Sequence, residues 1–418
     1  MKKISPVIYN LLSKKGKEIF LPKNAVLSQA QEAKGTKINA TIGEATEDNG
    51  TPMRLPSIAK NILLSPQNVF PYAPAFGKPQ LREIWQKKIY QKNPSLSAKI
   101  SLPVVTSGIT HSLSTVGYLF VNPGDQIILT DKYWDNYSLT FETLFGATLA
   151  TFNTFKAGGF DTESFKEKLE QRHGKKIVLL NFPNNPTGYT PTNEEVKRIV
   201  DILKIQAQKG DKILVICDDA YFGLVYKKDI YKESIFAPLA NLHKNILAIK
   251  LDGATKEYYA WGLRVGFVTY ASKGTTEKTC QSLEDKTAAV VRAILSNASH
   301  LSQSLLLEAL TSPTYKSEKK KCYQLLKVRF DRVEEVLKDK KYSEFFSPLP
   351  HNSGYFMCIQ LKQGLDAQKL RRKLLKNYST GVIATQNLLR LAFSSVPEKQ
   401  IKQLFENIYQ VCKKEART

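Results

Sequence analysis

Short apolar runs separated by polar stretches of helix length set the rhythm of the middle of this chain. Val104-Val105, Ile127-Ile128-Leu129, Ile177 to Leu180, Ile213 to Ile216, Ile246 to Ile249 and Val265 to Val268 are the main ones. Each is too short for a helix, and none alternates with polar residues. Strands apolar on both faces are buried on both faces, so the series predicts a mostly parallel sheet covered by helices. Residues up to about Gly35 read instead as polar helix and loop. After about residue 295 the texture becomes helical and basic. Apolar residues recur at helical spacing from Lys319 to Leu337, the pattern of a long linking helix. His351 to Ile359 and Asn387 to Ser394 read as strands of a second, smaller domain. The expected organisation is an N-terminal segment joining the small domain (1–55), a large domain (56–295), and a linking helix with a small C-terminal domain (296–418).

Composition narrows the class. At 418 residues and 42% hydrophobic, the chain can bury a large core. Its longest apolar stretches fall far short of a membrane span. The opening Met1-Lys2-Lys3 leads into Ile4-Ser5-Pro6 with no sustained apolar segment, so no export signal is expected. The five cysteines are scattered, odd in number and without a Cys-x-x-Cys pair, which fits a reducing cytoplasm and no metal site. The net charge of +23 raises the question of nucleic acid. The basic residues are spread in short runs, such as Lys14-Lys15, Lys319 to Lys321 and Arg371 to Lys373, many beside glutamates. General surface charge is the reading, with a weak, salt-sensitive affinity for polyanions and no specific nucleic-acid partner.

Chemistry-bearing residues fall where these strands end. In parallel sheets ligands bind outside the carboxyl ends of the strands. Lys256 lies in a small-residue and aromatic loop, Asp252 to Gly266, between two apolar runs, and Arg264 follows eight residues on. A lysine so placed can be a nucleophile, and an arginine fork suits a phosphate. Ser107-Gly108-Ile109-Thr110 runs from a strand into a helix, whose unpaired N–H groups favour an anion. Without Gly-Lys-Ser/Thr the turn disfavours a nucleoside triphosphate. His111 reads as a helix-start residue. Trp134 follows a strand end and either stacks on a ring or packs in the core. Asn185 sits in Asn184-Asn185-Pro186-Thr187-Gly188, a rare phrase after a strand. Asp218 ends another run, 38 residues before Lys256 with one strand between, and either serves a site or caps a helix. Gly43 is a backbone contact or a loop glycine, and Arg390 is flanked by apolar residues.

Six of these phrases, with Tyr72-Ala73-Pro74-Ala75-Phe76-Gly77 and Leu81-Arg82 among them, resemble in order the pyridoxal-phosphate (PLP) aminotransferases of class I/II, fold type I, similar to aspartate aminotransferases. The resemblance implies a large domain with a mostly parallel seven-stranded sheet and a smaller α+β domain. It implies that Lys256 bonds to the cofactor and shuttles a proton, and that Asp218 faces the pyridine nitrogen. Tyr221 and Asn185 would serve the phenolic oxygen, and Trp134 would stack on the ring. Gly108, Ile109, Thr110, Thr255 and Arg264 would hold the phosphate, with Tyr72 reaching it across a homodimer interface. Gly43, Asn185 and Arg390 would receive the substrate, Arg390 at the α-carboxylate. Val291-Arg292-Ala293-Ile294-Leu295-Ser296-Asn297 resembles a phrase whose arginine meets the distal carboxylate in the neighbouring subunit's site; a surface arginine is the alternative. Gly253 departs from the pattern, since relatives often carry a phosphate-binding serine there. The expected activity is transamination between an L-amino acid and a 2-oxo acid, 2-oxoglutarate foremost, with aspartate as first donor and an aromatic or other neutral donor second. A PLP lyase or decarboxylase is the alternative on the same constellation. A regulatory protein on this fold would need a DNA-binding domain, and the chain before residue 37 is too short for one.

Overall fold

Six of the seven strands in the larger sheet are the apolar runs of the sequence. The computed structural model describes residues 6–19 and 25–416, so the Met1–Ser5 opening lies outside the described residues. In spatial order the strands are Val104–Thr106, Gly266–Ala271, Ile246–Gly253, Lys212–Asp218, Lys175–Asn181, Gln126–Thr130 and Thr148–Phe152. Every pairing is parallel except the two made by Gly266–Ala271. The seventh strand, Thr148–Phe152, was not legible as an apolar run. It is one of the two edge strands and, unlike the buried Val104–Thr106 at the other edge, is mostly half-exposed, so it has no demand for apolar residues on both faces.

Successive residues of the central strands feed two separate cores, because side chains alternate across a sheet. Ile177, Leu179, Leu214, Ile216, Ile249 and Leu251 pack with Ile109, Leu113 and Val116 of the helix Gly108–Phe120. Val178, Leu180, Val215 and Cys217 face the other way, into the core shared with Val196, Ile199 and Leu203 of the helix Asn193–Gln208. That helix begins with a reciprocal cap, in which Thr192 accepts from the Glu195 N–H and Glu195 accepts from the Thr192 N–H. Burial of each such side chain contributes roughly 1.5–3 kcal/mol, so the strand positions, and with them the strand ends, are rigidly fixed.

A four-stranded antiparallel sheet of Phe346–Pro348, Phe356–Leu361, Leu388–Ala392 and Ile383–Thr385 follows the long helix Tyr315–Val336. The expected strand from His351 begins only at Phe356, because His351 to Tyr355 turn away to serve another contact. The Asn352 and Ser353 N–H groups both donate to the Gly188 carbonyl at 2.9 Å, which ties this segment to the Asn184–Gly188 turn. Of the stretch from Lys37 to Glu44, only Ile38–Asn39 is strand, paired in parallel with Thr380–Gly381. Among the described residues no helix is long and apolar enough to cross a membrane.

Candidate active site

The carboxyl ends of three neighbouring parallel strands present Asn181, Asp218 and the Gly253 to Lys256 turn side by side. Asn181 and Asp218 are register partners, and the chain leaves the next strand at Gly253. Asn181 donates to the Asp218 carbonyl at 2.9 Å and accepts from the Asn185 N–H at 2.8 Å, so Asn185 is fastened to the same edge.

Asp218 is buried, and its carboxylate accepts from the Tyr137 hydroxyl at 2.6 Å and from the Ala220 N–H at 3.1 Å. Burial still dominates and pushes the carboxyl up to about 6, against the pull of those two donors. Its neighbour Asp219 has a structural task, binding the buried Lys250 and accepting from the Ser234 hydroxyl at 2.6 Å. Adjacent aspartates therefore divide: one anchors the core and the other faces the crevice.

Lys256 is half-buried, and its Nζ donates to the Gly43 carbonyl at 2.6 Å. The ammonium lies 5.4 Å from the centre of the Tyr221 ring and 5.8 Å from that of Tyr355, whose hydroxyl donates to the Lys256 carbonyl at 2.7 Å. Burial lowers the amine to about 7, Glu44 opposes the shift, and Arg264 and Arg390 add to it. Near neutral pH a lysine so shifted is partly in the free-amine form that a nucleophile or proton carrier needs. Burial raises the Tyr221 phenol, which keeps it protonated as a donor.

Gly43 and Gly108 are where the backbone comes close. A Cβ on Gly43 would lie 3.2 Å from the Phe356 ring and 3.4 Å from Lys256 Nζ. A Cβ on Gly108, which has φ +79°, would lie 2.5 Å from an Arg264 guanidinium nitrogen. Arg264 is thus set against the N-terminus of the helix Gly108–Phe120, beside Ile109 and Thr110, where an anion gains from both the arginine and the free N–H groups. Thr255 is buried next to Lys256.

Arg390 is buried on the strand Leu388–Ala392, its guanidinium 4.3 Å above the Phe356 ring. It donates to Asn185 Oδ1 at 3.2 Å and to the Thr41 carbonyl at 3.0 Å, while its buried Nε has no protein acceptor. Among the described residues no carboxylate forms an ion pair with it. Arg390, Asn185 and Trp134 open together onto a cavity of about 500 Å³, walled in part by Val26, Leu139 and Ile383. Trp134 makes an edge-type pair with Tyr137, ring centres 5.7 Å apart.

Two residues read from the sequence stand away from this group within one chain. Tyr72 is 86% exposed, near the equally bare Leu63 (97%) and Phe70 (83%). Arg292 is exposed at the end of the helix Glu277–Leu295, donating to its own Ser296 at 2.8 Å. Tyr137, Tyr355 and Glu44 were not singled out from the sequence. Tyr137 could have been found by its position three residues beyond Trp134 at a helical start; nothing local marks the other two. Among the described residues no three His, Cys, Asp or Glu groups converge as metal ligands would.

A lysine and a carboxylate at the carboxyl edge of such a sheet, with a buried arginine of the second sheet beside Asn185, make a candidate centre on a fold shared with fold type I aminotransferases. The chain belongs to the aminotransferase class I and II family, whose match spans residues 35–408. Its members transfer amino groups and use PLP. The probable aspartate/prephenate aminotransferase of Aquifex aeolicus is 30% identical over 342 residues, covering 79% of this chain and 81% of that protein. The probable N-acetyl-LL-diaminopimelate aminotransferase of Bacillus subtilis is 27% identical, covering 72% and 70%. Among solved structures, an aminotransferase from Anaerococcus prevotii superposes with a TM-score of 0.86 at 24% identity over 96% of this chain and 99% of that one. The kynurenine aminotransferase of Pyrococcus horikoshii superposes with a TM-score of 0.82 at 18% identity, covering 99% of each. The chain is therefore an enzyme of amino-group transfer.

Proposed function

We propose that this enzyme binds PLP at Lys256 and transaminates an L-amino acid against 2-oxoglutarate, with aspartate as donor. The observation that carries the reading is the convergence of Lys256, Asp218 and the unpaired Arg390 on one strand-end crevice. The residues fit the group. A buried carboxyl is available for a pyridine nitrogen, and Gly108 with Arg264 forms a cradle that a side chain at 108 would fill. When bound, PLP supplies the carbonyl that receives the amino group and a ring that draws electrons from the substrate's α-carbon.

The chain's own residues do the rest. Lys256 Nζ, lowered to about 7, takes and returns the proton at the α-carbon. Asp218, in its ionised form, stabilises a protonated ring nitrogen. Tyr221 Oη and the Asn185 amide donate to the phenolic oxygen, and Trp134 covers the ring. Gly108, Ile109, Thr110, Thr255 and Arg264 hold the phosphate, with Tyr72 from a second copy. Arg390 orients the α-carboxylate through the fork left open by its protein contacts, and the Gly43 backbone lies alongside.

The aspartate assignment draws on the relatives' names and on Arg292 reaching a partner's site in a homodimer. An aromatic or other neutral donor is favoured by a different observation: Arg390 is the one basic residue lining the 500 Å³ cavity among the described residues. Units of 1–55 with 296–418, and 56–295, moving as a small and a large domain in a cytoplasmic dimer, complete the proposal. The test is a panel of amino donors assayed by product with wild type and Arg292→Ala. Glutamate formed from 2-oxoglutarate in step with the donor's 2-oxo acid supports transamination over lyase or decarboxylase chemistry, which would release ammonia or carbon dioxide instead. Full aspartate activity in Arg292→Ala would remove the distal-carboxylate role.

A further inference from the structure

Some members of the basic runs conspicuous in the sequence are paired in the fold. Lys319 binds Glu257, Lys341 binds Glu406, Arg371 binds Glu32 and Lys373 binds Glu415. Further uncompensated charge is gathered from positions far apart in the sequence. Lys175, Lys212, Lys244 and Lys273, from four separate segments, line one open cavity of about 570 Å³. Lys175 and Lys212 begin adjacent strands and are direct register partners, Lys244 immediately precedes the strand Ile246–Gly253, and Lys273 follows the end of Gly266–Ala271. The cavity is therefore at the amino edge of the sheet. A strand the length of Lys212–Asp218 spans roughly 20 Å, which separates it from the Lys256 crevice at the opposite edge.

Like charges placed directly opposite on neighbouring strands destabilise a sheet. Only Lys175 has a carboxylate partner, Asp125 at 2.6 Å; Lys212, Lys244 and Lys273 are exposed and make no ion pair among the described residues. Between the ammonium groups the floor is apolar: Phe120, Leu247 and Leu283 are half-exposed there. Ser272, Thr275 and Thr279 also line it, with the Ser272 and Thr275 hydroxyls donating to the Ile246 and Ser272 carbonyls at 2.6 and 2.7 Å. A cavity of this volume takes one small molecule. The ligand chemistry that answers three free ammonium groups around an aromatic and aliphatic floor is several phosphate charges on a flat apolar body.

We propose that this trough is a second binding site, remote from the transamination centre, for a nucleoside di- or triphosphate. The polyphosphate lies among Lys212, Lys244 and Lys273, and the base lies on Phe120 and the leucines.

The test is calorimetric titration of the holoenzyme with ATP at low and moderate salt. Lys212→Ala/Lys244→Ala/Lys273→Ala is compared with Lys166→Ala/Lys228→Ala/Lys399→Ala, which removes equal charge at exposed positions elsewhere. Saturable 1:1 binding per chain that weakens at least tenfold in the trough variant and less than twofold in the control supports the site. Transamination by the trough variant stays at the wild-type rate. Equal weakening in both variants, or no binding at millimolar ATP, overturns the proposal. Tripolyphosphate binding as tightly as ATP overturns it by removing the apolar floor from recognition. A single-stranded oligonucleotide that binds the trough far more tightly than ATP overturns it in favour of nucleic acid.

Discussion

The Tyr137 hydroxyl donates a 2.6 Å hydrogen bond to Oδ2 of Asp218, and both groups are buried. This phenol is the strongest donor the carboxylate has, and it pulls the carboxyl down against the effect of burial. A hydrogen bond to a charged group contributes roughly 1.5–3 kcal/mol. Tyr137→Phe should therefore raise the Asp218 pKa further and weaken PLP binding by about tenfold or more, read by fluorescence titration of the cofactor-free protein. Unchanged affinity would show that the phenol does not support the carboxylate.

Without cofactor, Asp218 titrates at about 6 in the folded chain, above the ordinary carboxylate value. A raised carboxyl contributes stability at low pH that is lost as pH climbs through the folded value. The cofactor-free protein should thus lose on the order of 3 kcal/mol from this group between about pH 4 and pH 6. Urea unfolding of wild type and Asp218→Asn across that range isolates the effect, since the variant lacks the titration. Parallel profiles would contradict the assignment.

Lys256 should be the residue that bonds to PLP, and its amine at about 7 sets the pH dependence. The free-amine fraction falls about tenfold per pH unit below 7. The rate at which the cofactor-free enzyme couples to PLP should follow that slope, and borohydride reduction followed by peptide mapping should mark Lys256 alone. Label on another lysine would sink the role. Lys256→Ala should abolish turnover.

The exposure of Leu63, Phe70 and Tyr72 within one ten-residue segment leads to a prediction about assembly. Exposed apolar groups of this size in one segment mark an interface. Equilibrium sedimentation should give a dimer, and Leu63→Asp/Phe70→Asp should shift it toward monomer with loss of activity. Mixing inactive Lys256→Ala with inactive Tyr72→Ala should regain partial activity, because one hybrid site is intact. A fully active monomer rules the shared site out.

Gly188 holds the Asn185 turn against the second sheet. Its φ is +71°, and a Cβ there would stand 1.9 Å from the Phe356 carbonyl oxygen and 2.8 Å from that of Ser353. Backbone strain and overpacking each cost about 1–3 kcal/mol. Gly188→Ala should destabilise the enzyme by about 3 kcal/mol or more in denaturant unfolding and impair substrate binding at Arg390, which shares Asn185 with this turn. Wild-type stability would mean the two segments part readily.

What the sequence disclosed and what it hid follow from range. Buried strands carry their own signature, so six of the seven in the large sheet were legible and Thr148–Phe152, at the edge, was not. Lys256, Asp218, Asn185 and Arg390 stood out because each ends or occupies an apolar run. Tyr355 stayed hidden because its hydroxyl serves a backbone carbonyl 99 positions away, which leaves no local trace. The four trough lysines were invisible as a group for the same reason, because they come from four separate segments. The segment His351–Tyr355 looked like strand by composition, but two of its N–H groups are taken by Gly188.

The lone reversed strand, Gly266–Ala271, has a consequence for how the centre could be assembled at all. Because it runs back beside Ile246–Gly253, the chain leaves and rejoins the sheet at the same rim, with Gly266 opposite Gly253. Lys256 and Arg264 are therefore carried on one short hairpin-like excursion. A parallel successor would have required a crossover and would have started roughly 20 Å away. Lys256 and Arg264 would then have belonged to separate pieces of chain. As built, a change in the length of this excursion moves both together relative to Asp218, so insertions or deletions between 254 and 265 should be far less tolerated than in a connection at the other rim, such as that between Gln208 and Lys212.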